Sequence, residues 1–312
     1  PKPAINRREA LKLMGAAATV PLISRAENAL PVPVQQGKFI YSLNMSTIRG
    51  QSLGFAKELE TAAKAGYSHV EIWMETMQAY LQKGGTVKEV KLRLNDQGLK
   101  VANCIGFAKW VVDDETIRKQ ALEQLKREME LLAGIGCPRI AATGMGLTND
   151  TTITLDTIAE RYRAILELGE QHQVTPLLEV WGFQKQFSTV AEATYCIMQS
   201  GHASARILLD VFHLYRGRSP LETLSFIKPE LNPILHMNDY PSTLSADVIT
   251  DADRIYPGDG VAPIKRILKA LQHHEGSLIL SAELFNAGYY KQDALIVAKT
   301  ALEKMKAIAE EI

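Results

Sequence analysis

The sequence is poor in cysteine, has no long hydrophobic run and carries no excess of charge of either sign. Its three cysteines, Cys104, Cys137 and Cys196, are odd in number and widely spaced, which argues against a disulfide framework or a zinc knuckle. Its 35 basic and 35 acidic residues balance, so no overall field attracts nucleic acid or an anionic membrane. These absences predict a protein without a nucleic-acid partner and without a stable membrane anchor.

The sequence is rich in short aliphatic runs separated by helical patterns. Apolar residues make up 46% of its 312 residues, enough for a large buried core. The runs do not alternate with polar residues, as expected for strands buried on both faces. Eight such strands and their helices predict an α/β protein with one domain, a (β/α)8 TIM barrel. An open doubly wound sheet is the alternative, but no glycine-rich dinucleotide loop follows the first strand. The predicted strands cover residues 38–44, 69–74, 100–105, 139–144, 175–181, 205–210, 233–238 and 278–283.

The N-terminal residues have the pattern of an export signal. Arg7 and Arg8 precede a short apolar run at 13–23, and small residues follow at Ala26 and Ala29. This order is typical of a twin-arginine signal, and the run is too short to span a bilayer as a stable helix. We therefore interpret residues 1–36 as a twin-arginine-type signal segment and linker, and 37–312 as the barrel. Export to the periplasm is the prediction; a cytoplasmic protein with an amphipathic N-terminal helix is the alternative.

Four polar residues stand at the ends of the last four predicted strands. They are Glu179 in LLEVWGF, Asp210 in RILLDVFH, His236 in PILHMND and Glu283 in LILSAELFN. Parallel strands present their carboxyl ends on one common face, so we expect these side chains to converge there. Three carboxylates and one imidazole repel one another unless a positive group lies between them, and a divalent metal ion fulfils that need. For any one of them alone, a helix N-cap is the competing interpretation.

This ligand set predicts both the metal and a type of chemistry. An oxygen-rich set with one imidazole suits Mn²⁺ best, with Mg²⁺, Co²⁺ and Zn²⁺ as alternatives. An ion that chelates a carbonyl and a neighbouring hydroxyl acidifies the adjacent C–H bond, and a carboxylate ligand can take that proton with its second oxygen. We predict this catalytic role for Glu179 and Glu283. Two bases on opposite faces would give epimerisation, one base would give aldose–ketose isomerisation, and the sequence leaves both open.

Other residues near the predicted strand ends are candidates for binding substrate. His213 follows Asp210 by three residues and is placed to hydrogen-bond a substrate oxygen. Arg254 precedes a turn-forming YPGDG segment and is expected either to hold a substrate hydroxyl or to compensate the negative charge of the site. Trp181 and Phe183 lie just past Glu179 and could form an apolar wall for the C–H face of a sugar. Core packing is the alternative for both rings.

Three segments of the second half carry a family resemblance. The runs LHMNDYP, DADRIYPGDG and SAELFNAGYY are similar to those of inosose isomerase and the ketose 3-epimerases, within the xylose isomerase-like TIM barrel superfamily. The resemblance covers about residues 37–312. It implies one divalent metal ion bound by Glu179, Asp210, His236 and Glu283, with the two glutamates as acid and base. It also implies that His213 and Arg254 contact substrate. The HMND segment differs from the HxDD motif of inosose isomerases.

The leading hypothesis is therefore a divalent-metal-dependent sugar isomerase or epimerase. It would move a proton next to a carbonyl, through an enediolate, on a ketose, a keto-inositol or a keto-sugar. The alternatives are a metal-dependent dehydratase or lyase acting on a keto-sugar or keto-glycoside, and a non-catalytic sugar-binding barrel. A small-molecule carbohydrate is the expected partner. The oligomeric state stays open, with a homo-oligomer among the alternatives.

Overall fold

The core of the protein is a closed barrel of eight parallel strands that follow one another in chain order. The computed structural model describes residues 39–148, 152–271 and 277–312. The last strand pairs with the first, from Phe39 opposite Leu278 to Leu43 opposite Ala282, and this pairing closes the barrel. The strands are β1 (Phe39–Asn44), β2 (His69–Trp73), β3 (Lys100–Ile105), β4 (Arg139–Ala142), β5 (Thr175–Glu179), β6 (Arg206–Asp210), β7 (Ile234–Met237) and β8 (Leu278–Ala282).

Helices connect each strand to the next and cover the outside of the barrel. Those of the described residues are α1 (Phe55–Ala65), α2 (Met74–Gln82), α3 (Val87–Asp96), α4 (Glu115–Ile135), α5 (Leu155–His172), α6 (Val190–Ser200), α7 (Val211–Arg216), α8 (Ile264–Leu271) and α9 (Ala294–Ala309). Short 3₁₀ helices occur in several of the connecting loops, including Met45–Gln51 after β1 and Asp251–Asp253 after β7. The connections place the carboxyl ends of all strands on one face.

Local sequence signals set the limits of individual helices. Asp114 caps α4 by accepting a hydrogen bond from Ile117 N at 2.9 Å, and Gly136 ends the same helix with a φ of 77°, a conformation that favours glycine. Thr189 and Glu192 form a reciprocal capping box at the start of α6. Each signal supplies partners for backbone groups that a helix end leaves unpaired.

The predicted fold class is confirmed, and all eight predicted strands are present. Most are one or two residues shorter than the aliphatic runs that predicted them. The predicted signal segment, residues 1–36, lies outside the described residues. Within the described ranges, no helix is both long and apolar enough to cross a membrane.

Glu58 is one of the buried carboxyl groups that lie on helices of the barrel. Glu58 on α1 is 5% exposed, and its Oε2 atom has no hydrogen-bond partner among the described residues. Burial raises its pKa from 4.5 to about 7, although the positive charge of Arg49 lowers it in part. Because the charged form is disfavoured in the folded protein, ionisation of Glu58 costs stability.

We expect Glu58→Gln to stabilise the protein in a pH-dependent way. The raised pKa favours folding below about pH 4.5, and that contribution disappears as the pH rises to about 7. The free energy of unfolding of the variant should therefore exceed that of the wild type by an amount that grows over this window to roughly 2–3 kcal/mol. Urea unfolding at pH 5 and pH 8 measures the difference. Glu60→Gln is the control, since Glu60 is exposed on the same helix and pairs with Lys64; a similar trend there would contradict the assignment to Glu58.

Candidate active site

Three strand-end carboxyl groups meet around the imidazole of the fourth strand-end residue, His236. Its Nδ1 atom lies 3.0 Å from Glu283 Oε2, 3.6 Å from Asp210 Oδ2 and 3.8 Å from Glu179 Oε1. All four residues are at most 4% exposed. Strand register explains the meeting, because Asp210 is level with His236 and the amide of Glu283 donates to Met237 O at 3.1 Å. The structure thus brings together the four residues that the strand-end pattern singled out.

The other edge of the imidazole contacts a carboxylate that the strand-end pattern did not single out. Glu71, in the middle of β2, lies 3.0 Å from His236 Nε2 through its Oε2 atom and is fully buried. The signal was visible in the run HVEIWM, where one acidic residue interrupts an aliphatic strand. A charged residue inside such a strand needs a partner across the barrel, and here that partner is His236.

The donor atoms on the Nδ1 side of His236 suit a metal ion. One ligand atom each from Glu179, His236 and Glu283 lies within 4.8 Å of the others. Burial opposes the charged form of His236, but the carboxylates of Glu283 and Glu71 outweigh it and raise the pKa of the ring. A metal ion bound at Nδ1, which lies 3.0 Å from Glu283 Oε2, would take the place of the proton on that nitrogen. Two carboxylates and one imidazole are a common set for a catalytic divalent ion. The described side chains therefore fit such an ion.

Asp210 adjoins this set and has other contacts. Its Oδ1 atom accepts a hydrogen bond from His213 N at 3.0 Å and so caps α7. Its Oδ2 atom accepts from Arg254 Nη1 at 2.7 Å and from Asn238 Nδ2 at 3.1 Å. Asp210 thus satisfies the N-cap interpretation and also lies beside the candidate ligands.

Arg254 supplies the positive charge of the site. Its Nη1 atom bridges Asp210 Oδ2 at 2.7 Å and Glu283 Oε2 at 2.8 Å, and its Nη2 atom contacts Asp251 at 2.5 Å. Burial opposes the charged form, but these carboxylates outweigh it and raise the pKa of Arg254. This geometry is consistent with charge compensation, and contact with a substrate hydroxyl stays a prediction. The guanidinium also lies 4.6 Å from the ring centre of Phe212, a favourable cation–π distance.

The carboxyl groups of the site are driven to different pKa values. Burial raises the pKa of Glu179 to about 8, and the negative charges of Glu283 and Asp210 add to this, while His236 partly offsets it. Burial also raises the pKa of Glu283 despite the neighbouring His236 and Arg254. The pKa of Asp210 falls well below its usual range because the Arg254 charge and other partners outweigh burial. Such divergence between neighbouring carboxyl groups is characteristic of acid–base sites.

His213 lies behind Arg254, at the start of α7. Its Nε2 atom is 3.3 Å from Arg254 Nη2, and its Nδ1 atom is 3.3 Å from the amide of Gly182. Burial lowers the pKa of His213 to about 4, although the negative charge of Asp210 raises it in part. The ring is therefore neutral near pH 7, which avoids repulsion with the guanidinium.

A cavity of about 200 Å³ opens above these residues. Glu179, Glu283, His213 and Arg254 line it together with aromatic rings that form a wall. Trp181 and Phe183 belong to this wall, and its other members were not singled out by the sequence: Trp73, Phe107 and Phe285. Neighbouring rings are 5.3–6.5 Å apart between centres. A larger cavity of about 610 Å³ lies near the opposite strand ends and contains none of the strand-end carboxylates.

The carboxylate of Asp239 is an anchor of the loop that carries Arg254. Its oxygens accept hydrogen bonds at 2.8–3.0 Å from four backbone amides, which are those of Tyr240, Gly258, Gly260 and Ala262. The backbone of Asp239 also pairs with Ile255, next to Arg254. A side chain on Gly260 would collide with Tyr240 O at 2.2 Å. The predicted YPGDG turn is thus fastened to the end of β7.

Fold and site together describe a (β/α)8 barrel with a buried carboxylate–histidine cluster at the carboxyl ends of its strands. Residues 59–308 match the family described as xylose isomerase-like TIM barrel. The chain belongs to this family, as its resemblance to it in sequence implied.

Individual relatives agree with this assignment. The inosose isomerase of Halalkalibacterium halodurans is 26% identical over 256 residues, which cover 80% of this chain and 90% of the relative. Among solved structures, the IolI protein with a bound zinc atom matches with a TM-score of 0.81 at 23% identity, covering 87% of this chain and 98% of its own. The D-psicose 3-epimerase of Clostridium cellulolyticum H10 with D-tagatose matches with a TM-score of 0.69 at 17% identity, covering 86% and 99%. At these identities, the two structures establish a shared fold.

We expect Asp239→Ala to free the loop that carries Arg254. The change removes four hydrogen bonds to a carboxylate, and the expected loss is about 3 kcal/mol in the free energy of unfolding. Amide hydrogen exchange should become faster at Gly258, Gly260 and Ala262. Asp259→Ala is the matched control, since Asp259 lies in the same loop but pairs with Lys304 at the surface. Unchanged exchange in Asp239→Ala would show that other contacts hold the loop.

Proposed function

We propose that this protein is a metal-dependent sugar isomerase or epimerase. The observation that carries the proposal is the placement of Glu179 and Glu283 on the Nδ1 side of His236, at the floor of an aromatic-walled cavity. The similarity to inosose isomerases over most of both chains supports it. The shared fold with a ketose 3-epimerase agrees with it.

The proposed resident ion is divalent, with Mn²⁺ preferred. Glu179, His236 and Glu283 would hold it, and Asp210 would join them as a fourth ligand. When bound, such an ion supplies Lewis acidity that stabilises negative charge developing on the substrate oxygens. The zinc in the IolI structure is consistent with a divalent ion in this fold.

Glu179 is the proposed principal base. Its carboxylate lines the cavity, and a carboxylate that binds an ion through one oxygen keeps the other oxygen free to accept a substrate proton and return it. Glu283 lines the same cavity and would serve as the second acid–base group. Arg254 would stabilise both the carboxylates and a substrate oxygen. Trp181 and its aromatic neighbours would pack against the C–H face of the sugar and exclude water.

Proton exchange with solvent tests this proposal. The Mn²⁺-loaded protein is incubated in D₂O with a panel of ketoses, inososes and 3-keto-sugars, and NMR follows deuterium incorporation and product. We expect conversion without loss of mass. Glu179→Gln and Glu283→Gln should each slow exchange at least about 100-fold, because each removes a proton-transfer group. Glu303→Gln, on the exposed side of α9, is the matched control and should keep full activity.

Other outcomes of the same experiment identify the alternatives. A product that has lost water or an alcohol would indicate a dehydratase or lyase. Full turnover in both glutamine variants would overturn the acid–base assignment. If the purified protein contains no metal and Mn²⁺ leaves its thermal stability unchanged, a non-catalytic sugar-binding barrel becomes the better interpretation.

The proposed site of action is outside the cytoplasm. The support is the twin-arginine-type pattern of residues 1–36, ahead of a barrel that we propose begins at residue 37. We expect the protein in the periplasmic fraction, without its signal segment. Replacing Arg7 and Arg8 by lysine should retain it in the cytoplasm, and unchanged export of that variant would contradict the proposal.

A further inference from the structure

Three polar side chains lie side by side inside the first three strands of the barrel. Strand register places Asn44 of β1 level with Glu71 of β2, and Glu71 level with Asn103 of β3. All three side chains are fully buried. They form a polar layer that begins on β1, the strand that pairs with β8 next to Glu283.

Glu71 is the centre of this layer, and donor groups surround its carboxylate. Asn103 Nδ2 donates to its Oε1 atom at 2.8 Å. Asn44 Nδ2 donates to its Oε2 atom at 3.3 Å. His236 Nε2 lies 3.0 Å from the same Oε2 atom. A carboxylate accepts hydrogen bonds on both oxygens, whereas an amide has an NH₂ donor on one side. A glutamine at this position would therefore place its NH₂ group against one of the surrounding N–H donors.

The amide of Asn44 has a defined orientation. Its Oδ1 atom accepts hydrogen bonds from Trp73 Nε1 and Ser46 N, both at 3.0 Å. Its Nδ2 atom faces two carboxylates, those of Glu71 and Glu283, with 3.0 Å to Glu283 Oε1. A flipped amide would lose these bonds and place its oxygen against negative charge. Asn44 therefore links Glu71 to one of the candidate ligands in a fixed geometry.

These contacts determine which ring nitrogen of His236 faces the candidate metal ligands. The contact between Nε2 and Glu71 keeps a proton on Nε2, so Nδ1 is the ring atom left to bind a metal ion, and it faces Glu179 and Glu283. A carboxylate that holds the far nitrogen of a histidine ligand orients the ring and increases its basicity. His236 Nδ1 is buried and has no hydrogen-bond partner within the described part of the chain.

We propose that Glu71 is a positioning residue for the metal centre. It holds His236 in the Nε2–H tautomer, and Asn44, oriented by Trp73, ties Glu71 to Glu283. The inference rests on the proposed metal site and adds to it a requirement for β1 and β2, two strands that carry none of the candidate ligands. A purely structural buried ion pair would affect stability and leave the metal affinity of the folded protein unchanged.

Binding of Co²⁺ distinguishes these two roles without any substrate. Co²⁺ affinity is measured by competition with a chromophoric chelator, and the visible absorption of bound Co²⁺ reports its coordination geometry. We expect Glu71→Gln to weaken Co²⁺ binding about 10- to 100-fold and to change the visible spectrum. Glu71→Asp keeps the charge but moves it away from His236, and it should retain part of the affinity.

Glu128→Gln is the matched control for loss of a buried carboxyl group. Glu128 is 2% exposed on α4 and accepts a hydrogen bond from Gln124 at 2.8 Å, away from the candidate ligands. Its Co²⁺ affinity and spectrum should equal those of the wild type. Circular dichroism and thermal unfolding confirm that each variant is folded before its affinity is compared.

Each result decides one point. If the wild type binds Co²⁺ and Glu71→Gln binds it equally well with the same spectrum, the positioning role is overturned while the proposed function stands. If the wild type does not bind Co²⁺, the proposed metal site fails and this inference fails with it. If Glu71→Gln does not fold, Glu71→Asp decides: wild-type affinity with an unchanged spectrum overturns the inference, and weaker binding with a changed spectrum supports it.

Discussion

The structure depends on the neutralisation of buried negative charge at one end of the barrel. Glu71, Glu179, Asp210 and Glu283 are buried around the imidazole of His236. Charges removed from water are costly unless they are paired and hydrogen-bonded. The site meets this requirement with the guanidinium of Arg254 and the amides of Asn44, Asn103 and Asn238. A bound divalent ion would add to the same compensation.

This constraint explains features that lie far from the strand ends. Arg254 has to be buried and held among carboxylates, so its loop must be fixed, and the four backbone amides bound by Asp239 achieve this. Asn238 also stabilises a buried carboxylate, since its side-chain amide donates a hydrogen bond to Asp210 at 3.1 Å. An aspartate at position 238 would instead place another negative charge against Asp210.

The same electrostatics connect the fold to the proposed chemistry. Arg254 stabilises the charged form of Asp210, whereas burial and neighbouring negative charges raise the pKa of Glu179 to about 8. Both carboxyl groups line the aromatic cavity, but Glu283 also accepts hydrogen bonds from Asn44 and Arg254. The two candidate bases therefore differ in their surroundings. In the proposed enzyme, strands five to eight would provide the reactive groups, and strands one and two would orient them.

Much of this could be predicted from the sequence, because aliphatic runs without alternation reveal strands buried on both faces. Polar residues at the ends of such runs stand out, so Glu179, Asp210, His236 and Glu283 were recognisable from their positions in the chain. The hydrogen-bonded contact of Glu71 with Asn44 and Asn103 could not be recognised in this way. A strand buried on both faces carries no pattern that separates residues facing the barrel interior from residues facing the helices. The partners of Arg254 were equally hidden, since they come from strands six and eight and from its own loop. The order of the strands and the residues at their ends thus follow from the amino-acid sequence alone. Barrel closure and register then decide which buried polar groups meet, because hydrogen bonds and ion pairs depend on distances that chain order does not specify.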